Sequence, residues 1–531
     1  MKLNYKRTVC VGFAFFLICA FWQAYDNIIP LILTNEFGMP QTVSGVIMAL
    51  DNIFALFMLP LFGAVSDRTK SRMGRRTPYI LFGTVVAVAA FVGLSVVDGM
   101  QLKQIGDYAK IDDPAVLERI YDETASEELL TPDGETFIPS HLFTKEEYKE
   151  IRSVTVENEK AVTNQDYTKY VVPARNAVVR RISSEHKGTL VIFIALLLIA
   201  LISMATFRSP AVALMPDVTI KPLRSKANAV INLMGSAGGI LVLVLGMVFA
   251  TSAVRNSMMS YMTYFCVIAA VMIAALLIFM LTVREPRFAE EMEEESRRFG
   301  LDGPEKAEAA EHDGELQTEN GRFAGRRLSA GQRRSLLFIL ASIVLWFAGY
   351  NAVTSKYSVY ASTILHKDYN LTLIIAQAAA IISYLPVGII ASKIGRKKTI
   401  LAGVVMLAAA FGTAAFMRAE SPTALMNAMF ALAGIAWATI NVNSFPMVVE
   451  MCSAADVGKY TGFYYTASMA AQVMTPILSG YLMDRLGMTV LFPYAVIFVA
   501  AAFVTMLFVK HGDSKPEAKK GLEALEDSGI D

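Results

Sequence analysis

About twelve runs of roughly 20 predominantly apolar residues divide this chain, and about 20 is what a helix needs to cross the hydrocarbon core of a bilayer. In lipid, every backbone polar group must be satisfied within the segment. Each run is therefore predicted to be a helix rather than an open strand or a loop. The expected crossings are 8–33, 42–66, 77–98, 188–216, 226–250, 260–283, 335–354, 371–391, 399–417, 423–449, 460–483 and 489–509. Only 18% of the 531 residues are charged, against about 25% in a soluble domain, so most of the mass belongs in lipid. The expected class is an all-α membrane protein.

Orientation follows from the polar joints. Between Asp67 and Ile80 the chain reads DRTKSRMGRRTPYI, wedged between two apolar runs. Short loops this rich in Lys and Arg stay on the cytoplasmic side. With both termini cytoplasmic, the inner loops hold Arg68 to Arg76, Lys221 to Lys226, Lys393 to Lys398, and Lys459. The short outer loops hold only Arg255, Lys356, Lys367, Arg418 and Arg485. Lys2, Lys6 and Arg7 precede the first run, as in a signal peptide. That run is too long for a signal core and has no small-residue cleavage site, so it reads as an uncleaved first crossing.

Two polar stretches interrupt the pattern. Residues 99–187 fall outside and read as a small, partly helical extracytoplasmic insert. Residues 284–334, Glu-rich and then Arg/Gly-rich, read as a flexible cytoplasmic linker with an amphipathic stretch. The expected units are thus a six-helix bundle over 1–283 carrying the insert, the linker, a second six-helix bundle over 335–510, and a cytoplasmic tail over 511–531. The chain also repeats itself. Gly63-x-x-x-Asp67-Arg68 followed by Gly74-Arg75-Arg76 ends the second run. Gly388-x-x-x-Ser392-Lys393-x-Gly395-Arg396-Lys397-Lys398 ends the eighth, with Ser392 in place of the acid. Paired halves of this kind are a transporter signature. Net charge is +1, which gives nucleic acid nothing to bind. Cys10, Cys19, Cys266 and Cys452 lack metal-ligand spacing and read as apolar filler; no metal site or cofactor is expected.

Three stretches carry a resemblance. PLFGAVSDRTKSRMGRRTPYI (60–80) resembles sucrose/proton symporters of the major facilitator superfamily. SPAVALMPDVTIKPLRSKANAV (209–230) is similar to that family's fourth helix and following loop. GIAWATINVNSFPMVVE (434–450), with Gly458 and Gln472, is similar to its tenth and eleventh helices. The wider glycoside–pentoside–hexuronide cation symporters share the frame. The resemblance implies a twelve-helix major facilitator fold in two pseudo-symmetric six-helix bundles. The pattern departs from melibiose-type sodium carriers at their site: the two helix-2 carboxylate positions fall on Ala55 and Leu59. The helix-4 acid becomes Arg208, and the helix-5 arginine falls near Asn232. The proton-coupled reading is the better match, with sodium left open.

An ionisable side chain inside a span is a functional hypothesis by default. Asp26 shares one helical face with Phe15, Cys19 and Trp22. A Trp one turn from a carboxylate suits a sugar, the indole packing on the ring and the acid accepting from hydroxyls; Asp26 also reads as a snorkelling interfacial acid. Asp51, with Asn52 beside it, is the preferred proton-coupling acid, Asp26 the second. Asp51 also reads as a salt-bridge partner of Arg208, and the two readings are compatible. Arg208 precedes Ser209-Pro210, where a freed carbonyl would line a cavity. Asn228 and Asn232 offer amides, either to a substrate or between helices. In the second half, Trp346, Tyr350, Asn351, Tyr384, Trp437, Asn441 and Gln472 supply the flat aromatics and uncharged polar groups that a neutral polyol needs. Gly63, Asp67, Arg68, Arg72, Gly74, Arg75 and Arg76 read as a cytoplasmic gate. Asp67 would accept from helix N-terminal amides or an arginine, with Asp217, Arg224 and Glu450 as its partners and Gly395 and Arg396 as the second copy.

The expected function is import of a glycoside, a di- or oligosaccharide, by proton symport. The expected setting is a bacterial inner membrane, and the expected state a monomer with a small-molecule sugar as its partner. The alternatives are a facilitator antiporter exporting amphipathic compounds and a non-transporting sugar sensor. No nucleophile constellation or phosphate loop suggests an enzyme, since Gly238-Gly239 lies inside a run rather than after a strand.

Overall fold

The computed structural model describes residues 3–157, 160–220, 223–299, 329–449 and 457–511. Its long helices are α1 (Tyr5–Leu31), α2 (Gln41–Arg68), α3 (Thr77–Ile105), α4 (Gly188–Asp217), α5 (Arg224–Val248), α6 (Met262–Thr282), α7 (Ala330–Tyr360), α8 (Tyr369–Ile394), α9 (Arg396–Ala415), α10 (Thr423–Val449), α11 (Val457–Leu486) and α12 (Leu491–Leu507). Among the described residues, 10 helices are long and apolar enough to cross a membrane. The other long helices, α8 and α11, occupy the stretches read as the eighth and eleventh crossings. The start of α1 is set by Asn4, whose Oδ1 accepts from Arg7 N at 3.1 Å, and that of α7 by a Ser329/Gln332 capping box. Both α1 and α7 run on into a π-turn, Ile32–Glu36 and Ala361–Leu365, so the halves repeat this local irregularity as well as the basic loop.

In the first half α1 packs on α5, α3 and α2 on α4, and α6 on α1 and α3. In the second, α10 packs on α8 and α9, and α12 on α7 and α9, while α7 also meets α11. Across the halves α2 meets α11, α5 meets α8, and α1 meets α7. The α2–α11 crossing is close because two glycines permit it. A Cβ on Gly45 would strike the Pro476 carbonyl, and one on Gly480 the Gln41 carbonyl. Both lie at the end of the bundle bearing the polar insert. At this insert end the first half hydrogen-bonds the second through Gln41, Thr42, Pro132, Thr168 and Thr251.

The insert is a folded lobe. Helices Pro114–Thr124 and Val172–Glu185 and two antiparallel hairpins enclose Val116, Leu117, Ile120, Tyr148, Tyr167 and Val171. It also reaches the second half: Met488 N donates to Pro132 O at 2.6 Å, and Thr168 Oγ1 lies 2.9 Å from His366 Nε2.

Two expectations are corrected. Lys356, read as an outer-loop cation, lies within α7 and is fully buried, because α7 continues past the apolar run. Asp98, read as the end of the third crossing, is interior because α3 continues to Ile105. The linker, read as flexible with an amphipathic stretch, begins as a helix, Glu285–Arg298, lying on the basic end, where Arg7 stacks 3.9 Å over Phe288 and pairs with Glu291 at 3.1 Å. Most of the remaining linker, Glu450, Cys452 and the tail beyond 511 lie outside the described residues.

Candidate functional site: an interior polar cluster among the long helices

The acids and the arginine singled out inside the apolar runs converge. Trp22 and Asp26 lie one turn apart on α1. The Arg208 guanidinium of α4 sits 5.9 Å over the Trp22 ring, a cation–π distance. Asp26, Asp51 and Arg208 are half-buried and act on one another electrostatically. The Tyr25 hydroxyl is buried without a hydrogen-bond partner and feels both acids. The cluster is therefore interior rather than lipid-facing.

Its internal pairing differs from the expectation. Asp51 and Arg208 form no ion pair within 4 Å; the partner of Asp51 is its neighbour, Asn52 Nδ2 donating to Oδ1 at 2.7 Å. Arg208 spends its charge on the Trp22 face instead, leaving its N–H donors for another ligand. Asn52 is correspondingly committed to Asp51. Asn232 is buried on α5 and Asn228 half-buried one turn before it. Sequence reasoning missed Gln23 and Gln377: a Cβ on Gly239 would lie 3.3 Å from both, so the two amides, one from each half, border the space where α5 has no side chain.

In the second half, Tyr350 stacks on Trp437 at 3.6 Å with an interplanar angle of 5°, and Phe347 meets the same indole edge-on. The two aromatics expected to grip a ring separately thus form one stacked pair, with one face of each taken by the other. Trp346 is fully buried with its Nε1 unpartnered, and Asn351 Nδ2 is buried and unpartnered. Tyr384 packs with Val387, Ala438 and Val442 between α8 and α10. Asn441 and Gln472 are half-buried.

At the basic end, one carboxylate joins two arginines: Asp217 takes Arg75 Nη2 at 2.8 Å and Arg76 Nε at 2.8 Å. Arg76 also pairs with Asp67 and donates to Ser66 Oγ at 2.5 Å. Burial alone would lower the pKa of Arg76, but Asp217 and Asp67 outweigh it and raise it. Asp67 accepts from an arginine, as one expected alternative had it. The amides at the start of α3 belong to a residue not foreseen. Glu285, the first residue of the linker helix, accepts from the N–H groups of Arg75, Arg76 and Thr77 at 2.7–2.9 Å. Gly74, at φ 105°, lets this carboxylate approach, for a Cβ there would collide with it. Arg224 is not a partner of the gate acids: it donates to the carbonyls of Thr219 at 3.1 Å and Pro216 at 3.0 Å, closing its own loop. Arg68 and Arg72 are exposed; Gly395 starts α9 at φ 94°, and Arg396 is buried in that helix's first turn.

At the insert end, a seam absent from the sequence reading joins the halves. Asp484 of α11 accepts from Gln41 N and Thr42 N at 2.7 Å each, capping α2 from across the interface. Lys356 Nζ donates to Gln41 O at 2.8 Å. Beside it, Thr251 Oγ1 lies 2.7 Å from the Tyr369 hydroxyl and accepts from Asn370 Nδ2 at 3.2 Å. The available signal was charge in helical register at the margins of apolar runs, which a loop assignment concealed.

The architecture is that of an all-helical, multi-span membrane transporter fold. Residues 14–369 match the MFS_1 like family and residues 367–528 the Major Facilitator Superfamily. The chain belongs to the major facilitator superfamily. Among solved structures it resembles a bacterial homologue of the iron transporter ferroportin in an inward-facing state (TM-score 0.58, 12% identity, 95% of this chain and 99% of that one). It also resembles the inward-open xylose transporter XylE from E. coli (TM-score 0.53, 15% identity, 98% and 99%). At these identities the likeness is one of fold. Over 86 residues it is 36% identical to Proton-associated sugar transporter A of Homo sapiens, covering 16% of this chain and 11% of that protein. The chain thus matches only about a tenth of that relative's length.

Proposed function

We propose that this protein is a proton-coupled sugar symporter working by alternating access. The observation that carries the reading is the convergence of Asp26, Asp51 and Arg208 around Trp22, inside a fold whose halves hydrogen-bond to each other at the insert end. Two carboxylates against one guanidinium leave one negative charge in a low-dielectric site, and a proton is the smallest group that neutralises it. The Trp22 ring, the free Arg208 donors and the amides of Asn228, Asn232, Gln23 and Gln377 supply one flat face and several hydroxyl partners, the recognition set of a sugar. The printed name of the human relative, a proton-associated sugar transporter, supports the same class.

In this reading the twelve long helices form two six-helix bundles, both termini are cytoplasmic, and the protein resides as a monomer in a bacterial inner membrane. The basic end is then the cytoplasmic one, and the structure is sealed outside. The substrate is a glycoside of di- or oligosaccharide size. One charge driven through 100 mV supplies about 2.3 kcal/mol. At about 1.4 kcal/mol per tenfold this sustains roughly a 50-fold sugar gradient. A panel of mono-, di- and oligosaccharides tested for thermal stabilisation of the purified protein checks the recognition half of the proposal. A disaccharide that raises the melting temperature of wild type but not of Arg208→Ala is expected. Stabilisation by none of the sugars would sink it.

A further inference from the structure

Glu36 ends the π-turn after α1, ten residues beyond Asp26 and roughly 15 Å further along the helix at 1.5 Å per residue. Asp98 lies in α3, and both side chains have 0% exposure. Asp98 Oδ2 accepts from Tyr261 N at 2.9 Å. Asp98 Oδ1 and both Glu36 carboxyl oxygens meet no N–H or O–H donor. What Glu36 does meet, at hydrogen-bond contact, is the Asp98 carboxyl. Ionised carboxylates only accept, so two of them in contact require a proton between them.

Among the described residues, the neighbours supply no positive charge. From α6 comes Tyr261, whose buried hydroxyl is also unpartnered, and from α8, across the seam, Tyr369. Gln101 of α3 donates to Glu36 O at 2.8 Å and Ser183 Oγ at 2.9 Å and accepts from Thr189 of α4 at 2.6 Å, which pins the turn. Arg180, from helix Val172–Glu185, is exposed and backs Gly38 with its main chain. Thr34, Asn35 and Gly38, flanking Glu36 in sequence, line a cavity of about 700 Å³ between the insert and both halves. Water there is one residue away from the acid pair.

We propose that Glu36 and Asp98 share one proton while the insert end is sealed, forming a proton-binding site separate from Asp26 and Asp51, with the insert-end cavity as its exchange route. Release sends the proton to cavity water and leaves two facing carboxylates, whose repulsion works against the seam beside them.

The test uses purified full-length protein, reading the infrared carbonyl band of a protonated carboxylic acid together with the melting temperature across pH. The band is expected to persist in the Asp26→Asn/Asp51→Asn double variant and to be lost when Glu36→Gln or Asp98→Asn is added. The native state holds a proton that the unfolded chain gives up, so the melting temperature of the double variant falls as pH rises. Glu36→Gln donates an amide hydrogen to Asp98 at every pH and flattens that fall. Absence of the band from the double variant overturns the proposal even if the Glu36 variant does not fold. A band that survives both Glu36→Gln and Asp98→Asn overturns it, as does a band abolished by sodium ions.

Discussion

Asp51 and Trp22 answer different questions about the central cluster. Asp51 touches only Asn52, so an amide in its place preserves shape while removing the titrating group. Asp51→Asn is expected to abolish proton-driven sugar accumulation yet retain sugar exchange in reconstituted vesicles; unchanged accumulation removes Asp51 from coupling. Trp22 carries the Arg208 contact and the flat face. Trp22→Ala is expected to weaken sugar binding about tenfold, roughly 1.4 kcal/mol, near the top of the range for aromatic contacts. Wild-type affinity by calorimetry would move the site elsewhere. Asp26, Asp51 and Arg208 were legible because charge is conspicuous in the middle of an apolar run. Their pairing was not, since helix spacing says which face a side chain takes and nothing of the rotamer that sends Arg208 over an indole. Glu36, Asp98, Lys356 and Asp484 escaped notice for a related reason. Near a run's margin a charge reads as loop, and only the helix's continuation shows it to be interior.

At the scale of elements, the linker helix is part of the basic end. Glu285 is 3% exposed and caps three amides of α3, so Glu285→Ala is expected to cost about 1–2 kcal/mol, as losing an N-cap does. Equal denaturation midpoints for the variant and wild type would show the cap to be inert. The insert carries its own pH dependence. His366 holds Thr168 at 2.9 Å, and burial, with Lys367 nearby, lowers its pKa from the ordinary 6.5. Neutral imidazole is the form the fold favours. Its contribution is present above about 6.5 and is lost as pH falls below that value toward the lowered one. Hydrogen exchange around Thr168 should therefore quicken on acidification in wild type and become insensitive to pH in His366→Gln; parallel profiles would contradict this. Most helix ends were readable from apolar runs to within a few residues, the exceptions being α3 and α7, which continue past theirs. The insert's fold and the cap from Glu285 were not, because both depend on contacts distant in sequence.

For the whole molecule, the asymmetry between the ends is the main result. The inter-half hydrogen bonds of Asp484, Lys356, Thr251 and Tyr369 all lie at the insert end, while the pairs of Asp67, Arg76 and Asp217 stay within the first half. Hydrogen bonds between the halves at the insert end are contacts that rocking of two halves about a mid-depth site would make and break. The repeated basic loop made the paired halves legible in the sequence. Which end carries this seam was not, since it depends on contacts distant in sequence.

The central claim is that sugar and proton cross together. Vesicles containing the purified protein, loaded with a pH-sensitive dye and placed in an acidic medium with labelled disaccharide, measure both at once. Sugar accumulating above its external concentration, with acidification of the lumen that depends on the sugar, is the predicted result. Sugar that merely equilibrates, with the lumen's pH indifferent to its presence, would contradict the account.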